Sequence, residues 1–139
     1  MNFHSQINYT PIFFLSMSDS TKTWVSWIIE CKAKVEDVSA ILTLADAMSV
    51  DFHESEPNTL NFEWSYCEQL GIYLLHERYA NSESAQKHVE KFGSAYAGKF
   101  LELLDIKKVT VFGFPTNSLK ETLQGMNPNL SIFTSGFNR

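Results

Sequence analysis

A glutamate lies on an otherwise apolar and aromatic face of a predicted strand. Glu77 belongs to the segment IYLLHERY, whose alternation places it on one strand face with Tyr73, Leu75 and Tyr79. A buried carboxylate must pair with a positive group or change its proton affinity, and such groups supply general bases. Glu77 is therefore a candidate proton acceptor. The alternative is a structural ion pair with a basic residue of another strand or subunit.

His88 is the second candidate for proton transfer. It lies beside Val89 in a segment of helical periodicity, and an imidazole exchanges protons near neutral pH. We predict that it acts as an acid or base; the alternative is a histidine on the helix surface. His76 lies on the opposite strand face from Glu77, which favours a packed or interface residue.

The other possible metal or redox groups form no pattern. Cys31 and Cys67 are far apart and outside any CxxC motif, and His4 and His53 fall in irregular segments. These spacings predict neither a disulfide nor a metal site, so both cysteines are expected to be reduced.

Composition limits the partners. Eleven Lys and Arg against sixteen Asp and Glu give a net charge of −5 without a basic stripe, which argues against nucleic acid. No run approaches the roughly 20 apolar residues of a membrane span, and no secretory leader is evident, so a cytoplasmic protein without a membrane partner is predicted. Eleven Phe, five Tyr and three Trp in 139 residues predict a pocket or a second subunit beyond the core.

The elements that must position these residues follow from hydrophobic periodicity. We predict strands over residues 24–31, 59–67, 72–79 and 107–112, and helices over 35–48, 82–103 and 117–124. Glu36 and Asp37 are placed in the first turn of the first helix, and the polar segment 53–58 ends it. Asn81 or Ser82 is expected to cap the second helix, and Gly93 predicts a kink or a split within it.

This order predicts an α+β fold, a ferredoxin-like β-α-β-β-α-β unit with two helices on one face of an antiparallel sheet. The strands carry large apolar side chains on both faces, so a homodimer is predicted to cover the free face and to form a dimeric α/β barrel. We assign residues 1–22 to an N-terminal arm, 23–125 to the domain and 126–139 to an ordered tail without regular elements, whose two Phe would clasp the partner.

Three segments resemble the antibiotic biosynthesis monooxygenase family: EPNTLNFEW, HERYANSESA and HVEKFGSAYAGKF. The resemblance spans about residues 24–113 and implies a dimeric α+β barrel with a cavity in each protomer for a flat aromatic ligand. Several members oxygenate their substrates without flavin or metal, because the deprotonated substrate itself supplies electrons to oxygen. The resemblance therefore implies a monooxygenase without a cofactor that acts on a small aromatic or quinol-like substrate.

The resemblance also implies site positions. Catalytic roles fall to Glu77, Tyr79 and His88, with Glu77 or His88 as proton acceptor and Tyr79 orienting the substrate. The substrate-binding positions are Trp27, Cys31, Tyr73, Leu75, Phe92 and Tyr96. Leu75 replaces the polar Asn of polyketide-tailoring members, which argues against anthrone-type chemistry and favours the rival function, a non-catalytic barrel that binds a small hydrophobic ligand. Cys31 and the 96–98 region replace the residues of haem-degrading members, so haem handling is the weakest option.

Overall fold

The computed structural model describes residues 22–139, so the arm predicted over residues 1–22 lies outside the described residues except for Lys22. The strands are β1 Val25–Ala33, β2 Thr59–Cys67, β3 Ile72–Tyr79, β4 Leu104–Gly113 and β5 Asn129–Leu130. The helices are α1 Ser39–Ser55, α2 Ser82–Ala95, α3 Ala97–Leu103 and α4 Asn117–Leu123, followed by a 3-10 turn over Gln124–Met126. None of these helices is long and apolar enough to cross a membrane.

The five strands form one sheet in the order β2-β3-β1-β4-β5. Strands β1 to β4 pair antiparallel, whereas β5 pairs in parallel with β4. Gly71 takes a φ of 64° in the turn between β2 and β3, a conformation that costs glycine little. The predicted α+β class and ferredoxin-like order are confirmed.

The strand register brings the candidate residues together. Trp27 of β1 and Phe62 of β2 flank Glu77 of β3 as its direct cross-strand partners. Side chains alternate between the two faces of a strand, so these three residues share the face on which the core forms. Helix α1 contacts β2 and α3, and α2 contacts β3, α3 and α4. The helices therefore close a cavity over Glu77.

The first helix begins and ends later than the sequence pattern predicts. It starts at Ser39, and Asp37 lies before it, where its carboxylate accepts a hydrogen bond of 2.9 Å from the Ser39 backbone N–H. It continues through the polar residues after Met48 because Phe52, one turn further on, is buried in the core. The predicted first-turn positions of Glu36 and Asp37 and the predicted bounds 35–48 are therefore wrong, whereas the polar segment 53–58 does contain the helix end, at Ser55.

The second helix is split, as one of the two alternatives predicted. Tyr96 leaves the helical region with φ of −126° and separates α2 from α3. The break lets Phe100 of α3 pack into the core. Strand β4 begins at Leu104, earlier than predicted, because it follows α3 directly.

The tail contributes more structure than its composition indicates. Ser131 donates a backbone hydrogen bond of 2.8 Å to Val111, beside the short strand β5, so the prediction of a tail without regular elements is wrong there. Phe133 packs on Phe114 of the same chain at 5.1 Å between ring centroids, whereas Phe137 is exposed. Backbone pairing with the edge of β4 orders this region. A segment of two residues is too short for sequence periodicity to predict such pairing.

Candidate functional site

A cavity of about 210 Å³ lies between the sheet and the helices. Its walls are largely apolar, with Trp27, Phe62 and Leu75 from the strands and Val89 and Phe92 from α2. The volume is below the roughly 300–1,000 Å³ typical of ligand pockets, so it suits a compact molecule of one or two rings. Glu77 and His88 also line it and place a polar group in this apolar wall.

Glu77 is only 2% exposed and occupies the centre of the sheet beneath α2. Its Oε1 accepts a hydrogen bond of 2.5 Å from the Tyr79 hydroxyl and lies 3.0 Å from His88 Nε2. Its second oxygen, Oε2, receives no hydrogen bond from the residues that the structure describes. One carboxylate oxygen is thus anchored by two neighbours, and none of residues 22–139 hydrogen-bonds the other.

His88 is placed by the helix that carries it. Asn81 precedes the first residue of α2, and its side-chain oxygen accepts a 2.9 Å hydrogen bond from the Ser84 N–H. Of the two predicted caps, Asn81 is therefore confirmed. From there Ala85 and His88, three residues apart, share the buried face. Phe52 packs on the imidazole at 4.4 Å between ring centroids. The ring is 4% exposed, which excludes the alternative of a surface histidine.

The sequence patterns did not mark Glu56 as a site residue. It follows the last residue of α1, and its Oε1 lies 2.8 Å from His88 Nδ1 and accepts a 2.8 Å hydrogen bond from the Thr59 hydroxyl. Its position in the Glu-Pro turn before β2 was visible in the sequence, but nothing local indicates that this turn faces His88. The ring therefore bridges two carboxylates, Glu56 on one nitrogen and Glu77 on the other.

The charge state of the imidazole follows from these contacts. Burial alone would lower the pKa of His88, but the hydrogen bonds and negative charges of Glu56 and Glu77 outweigh it and raise the pKa to about 9. At neutral pH both ring nitrogens therefore carry protons and donate to the carboxylates. Burial, followed by the nearby Glu77 charge, raises the pKa of Tyr79 well above its ordinary value, so its hydroxyl remains a donor.

The two carboxylates do not form a metal site. They contact opposite nitrogens of one ring, so their oxygens do not converge on a common point. Among residues 22–139, no group of three or more His, Cys, Asp or Glu side chains is arranged to hold a metal ion. The cluster is held together by hydrogen bonds and by the opposite charges of the imidazole and the carboxylates.

The structure brings together part of the predicted site. Trp27, Leu75 and Phe92 line the cavity with Glu77 and His88. The indole Nε1 of Trp27 is buried and has no hydrogen-bond partner among the described residues, which makes it an unused donor in a residue of the cavity wall.

The remaining predicted positions lie outside the cavity lining. Tyr79 is fully buried behind Glu77 and stacks on Trp27 at 4.7 Å, so it contacts the carboxylate instead of the cavity. Tyr73 packs on Tyr66. The Tyr96 hydroxyl, at the break between α2 and α3, donates a 2.5 Å hydrogen bond to Asp51 of α1. These contacts give the three tyrosines packing and positioning roles.

Cys31 is also buried away from the cavity lining. Burial, with the charges of Glu77 and Asp105, raises the pKa of its thiol to about 12, so the thiol stays neutral. His76 is exposed, and Arg78 lies on the opposite face of the sheet from Glu77, with its guanidinium 4.5 Å from the Trp24 ring centre. Neither reaches the cluster.

Several solved structures share this fold over most of the chain. MupZ from Pseudomonas fluorescens superposes with a TM-score of 0.74 at 15% identity, over 84% of this chain and 95% of MupZ. A Caulobacter crescentus CB15 protein described as a "putative antibiotic biosynthesis monooxygenase" gives a TM-score of 0.55 at 13% identity, over 69% and 92%. SnoaB, a cofactor-independent oxygenase from Streptomyces nogalater, gives a TM-score of 0.57 at 8% identity, over 68% of this chain and 96% of SnoaB. The chain has the fold of the antibiotic biosynthesis monooxygenases.

Sequence comparison adds no closer relative. No family model matches the chain, and no curated protein sequence matches it either. At identities of 8–15%, the likeness to these three solved structures defines the fold alone. The function must be argued from the cavity and the cluster of Glu56, Glu77, Tyr79 and His88.

Proposed function

We propose that the protein is a cofactor-independent monooxygenase acting on a small phenolic or quinol-like aromatic substrate. The observation that carries the proposal is the buried Glu77, whose Oε2 carries no hydrogen bond from the described residues in a wall of the apolar cavity. A carboxylate in such a position can accept a proton from a bound hydroxyl, since a general base must lie within hydrogen-bond reach of the proton it removes.

The cluster supports Glu77 over His88 as the proton acceptor. With its pKa of about 9, the imidazole already carries both protons at neutral pH and has no free lone pair. Its positive charge, next to Glu77, stabilises the anion that forms when the substrate loses its proton. Tyr79 donates to Glu77 from behind, so its role is to orient the carboxylate.

The overall reaction is balanced with dioxygen as the oxidant. The substrate anion supplies electrons to oxygen, and an aromatic C–H carbon gains one oxygen atom, giving a quinone. The second oxygen atom leaves as water with that carbon's hydrogen and the hydroxyl proton, which Glu77 returns. The protein must hold the ring, accept the proton and exclude bulk water, all of which an apolar cavity with one carboxylate supports.

Trp27 supplies a candidate for substrate orientation. Its indole ring forms part of the apolar cavity wall beside Glu77, so it offers a flat surface on which an aromatic ring can stack. The site then favours a flat aromatic substrate that presents a hydroxyl proton to Glu77.

Oxygen uptake with a panel of phenols, naphthols, quinols and anthrones tests the proposal. For the substrate that is turned over, Glu77→Gln is expected to lower kcat by about 10²- to 10⁴-fold, the usual contribution of a general base. Tyr79→Phe is expected to have a smaller effect. Trp27→Phe, which reduces the flat surface of the cavity wall, is expected to raise KM, whereas Trp64→Phe should not, because Trp64 does not line the cavity. Turnover unaffected by Glu77→Gln would refute the proposed base.

A second candidate function is non-catalytic binding of a small hydrophobic ligand. Leu75 favours it, since it places an alkyl side chain on the cavity wall where polyketide-tailoring members have a polar one. Binding of panel compounds measured by calorimetry, without oxygen uptake for any of them, would support this function over the oxygenase.

We also propose that the protein is a homodimer through the sheet face opposite the helices. The described helices contact the other face, and Ile28 and Leu74 remain only half-buried on this one. A second copy, packed sheet to sheet, would remove this apolar surface from water.

A further inference from the structure

We infer that Glu56 is a positioning residue of this site, holding the His88 ring so that its Nε2–H stays directed at Glu77. The inference rests on the proposed function, in which Glu77 is the base. Glu56 occurs in none of the sequence-predicted site positions, and it does not line the cavity. It acts only through the ring of His88.

The geometry assigns each ring nitrogen a separate partner. Nδ1 of His88 lies 2.8 Å from Glu56 Oε1, and Nε2 lies 3.0 Å from Glu77 Oε1. A hydrogen bond on one nitrogen determines the tautomer and orientation available to the other, as in carboxylate–histidine pairs generally. With a carboxylate on both sides, each nitrogen is required to donate.

Glu56 is itself held in place. Its backbone N–H donates to Phe52 at the end of α1, and its Oε1 accepts from the Thr59 hydroxyl at the start of β2. Its side chain is 13% exposed, in contrast to 3% for Glu77, and it borders a surface groove that includes Lys87 and Lys91. The anchoring carboxylate thus sits at the solvent side of the ring and the reactive one at the cavity side.

The proposal predicts a pH dependence set by the His88 ring. The titratable and charged groups around it are Glu56 from the end of α1, Glu77 and Tyr79 from β3, and Asp51 and Lys91, which pair with each other next to Phe52. Within residues 22–139, Glu56 and Glu77 are the groups that contact the ring nitrogens, so removal of the Glu56 charge must make the ring easier to deprotonate.

The test is Glu56→Gln, with Glu54→Gln as matched control, because Glu54 is an exposed acid near the same helix end. Imidazole nitrogen shifts of the substrate-free protein, followed by NMR across pH 5 to 10, report the His88 pKa. We expect Glu56→Gln to lower it by about one to two units, the equivalent of one hydrogen bond to a charged group, and Glu54→Gln to leave it unchanged. In Glu56→Gln, the alkaline limb of the kcat/KM profile is expected to move toward neutral pH together with the His88 pKa.

The outcomes separate this inference from the proposed function. A His88 pKa that is the same in Glu56→Gln and wild type would overturn the positioning role, whether or not the protein turns over any substrate. If Glu56→Gln does not fold, the wild-type spectrum decides: a ring with both nitrogens protonated at pH 7.5 supports the inference, and a neutral ring overturns it. If wild type takes up no oxygen with any compound but Glu56→Gln lowers the His88 pKa as expected, only the oxygenase is refuted.

Discussion

Raising the pH from 6 to 9 should destabilise the folded protein because His88 loses its proton. In the unfolded chain a histidine has a pKa of about 6.5, whereas in the folded protein Glu56 and Glu77 raise the pKa of His88 to about 9 despite its burial. The folded state therefore keeps a proton that the unfolded state has released between these values. The stabilisation is fully present below pH 6.5 and is lost as pH rises through 9.

The magnitude follows from the difference between the two pKa values. A difference of about 2.5, at about 1.4 kcal/mol per unit, corresponds to about 3 kcal/mol of unfolding free energy. This is a large share of the about 5–15 kcal/mol by which a domain is stable. The Cys31 thiol, with its raised pKa of about 12, also destabilises the fold once the unfolded thiol begins to ionise at about pH 8. The change between pH 6 and 8 is therefore the part that reports His88.

Urea denaturation at half-unit steps from pH 6 to 9 measures the effect. Wild type should lose about 3 kcal/mol over this range, while His88→Gln, less stable at pH 6, should show a much flatter profile. His76→Gln is the matched control, because His76 is exposed on β3 and contacts neither carboxylate. Parallel profiles for wild type and His88→Gln would refute the assignment of His88 as an imidazolium held by two carboxylates.

Three further predictions concern the fold. Gly113→Ala should lower the free energy of unfolding, measured by urea denaturation, by about 2 kcal/mol or more, since Gly113 has a φ of 89° and a Cβ there would collide with the Trp24 carbonyl oxygen. Gly98→Ala is the control: Gly98 faces open space within α3, so this change should be neutral or should stabilise the fold by up to about 1 kcal/mol. Asn81→Ala should cost about 1 kcal/mol through loss of the α2 cap, and an unchanged denaturation midpoint would contradict that role. Light scattering should give a mass near twice 15.9 kDa, and a stable monomer would refute the dimer.

Much of the fold was predictable because it depends on local alternation. Strands β2 and β3 have the predicted bounds, since apolar and polar side chains alternate strictly along β2, β3 is rich in β-type apolar and aromatic residues, and the turn at Gly71 separates them. The last two turns of α1, after Met48, were left out of the predicted range because the apolar periodicity stops there, and Phe52 is buried only through contacts with Phe62 and His88 from other elements. A helix end that tertiary packing extends leaves no local signal.

The site divides in the same way. The sequence by itself determined that Glu77 lies on the same strand face as Leu75 and Tyr79, because the side-chain period of a strand is local and leaves no choice. Only the tertiary structure decided what Glu77 faces: α2 brings His88 against it, and the end of α1 brings Glu56 to the far nitrogen of the same ring. The physical reason is that both contacts depend on how the two helices pack on the sheet, and no periodicity along the chain encodes that packing.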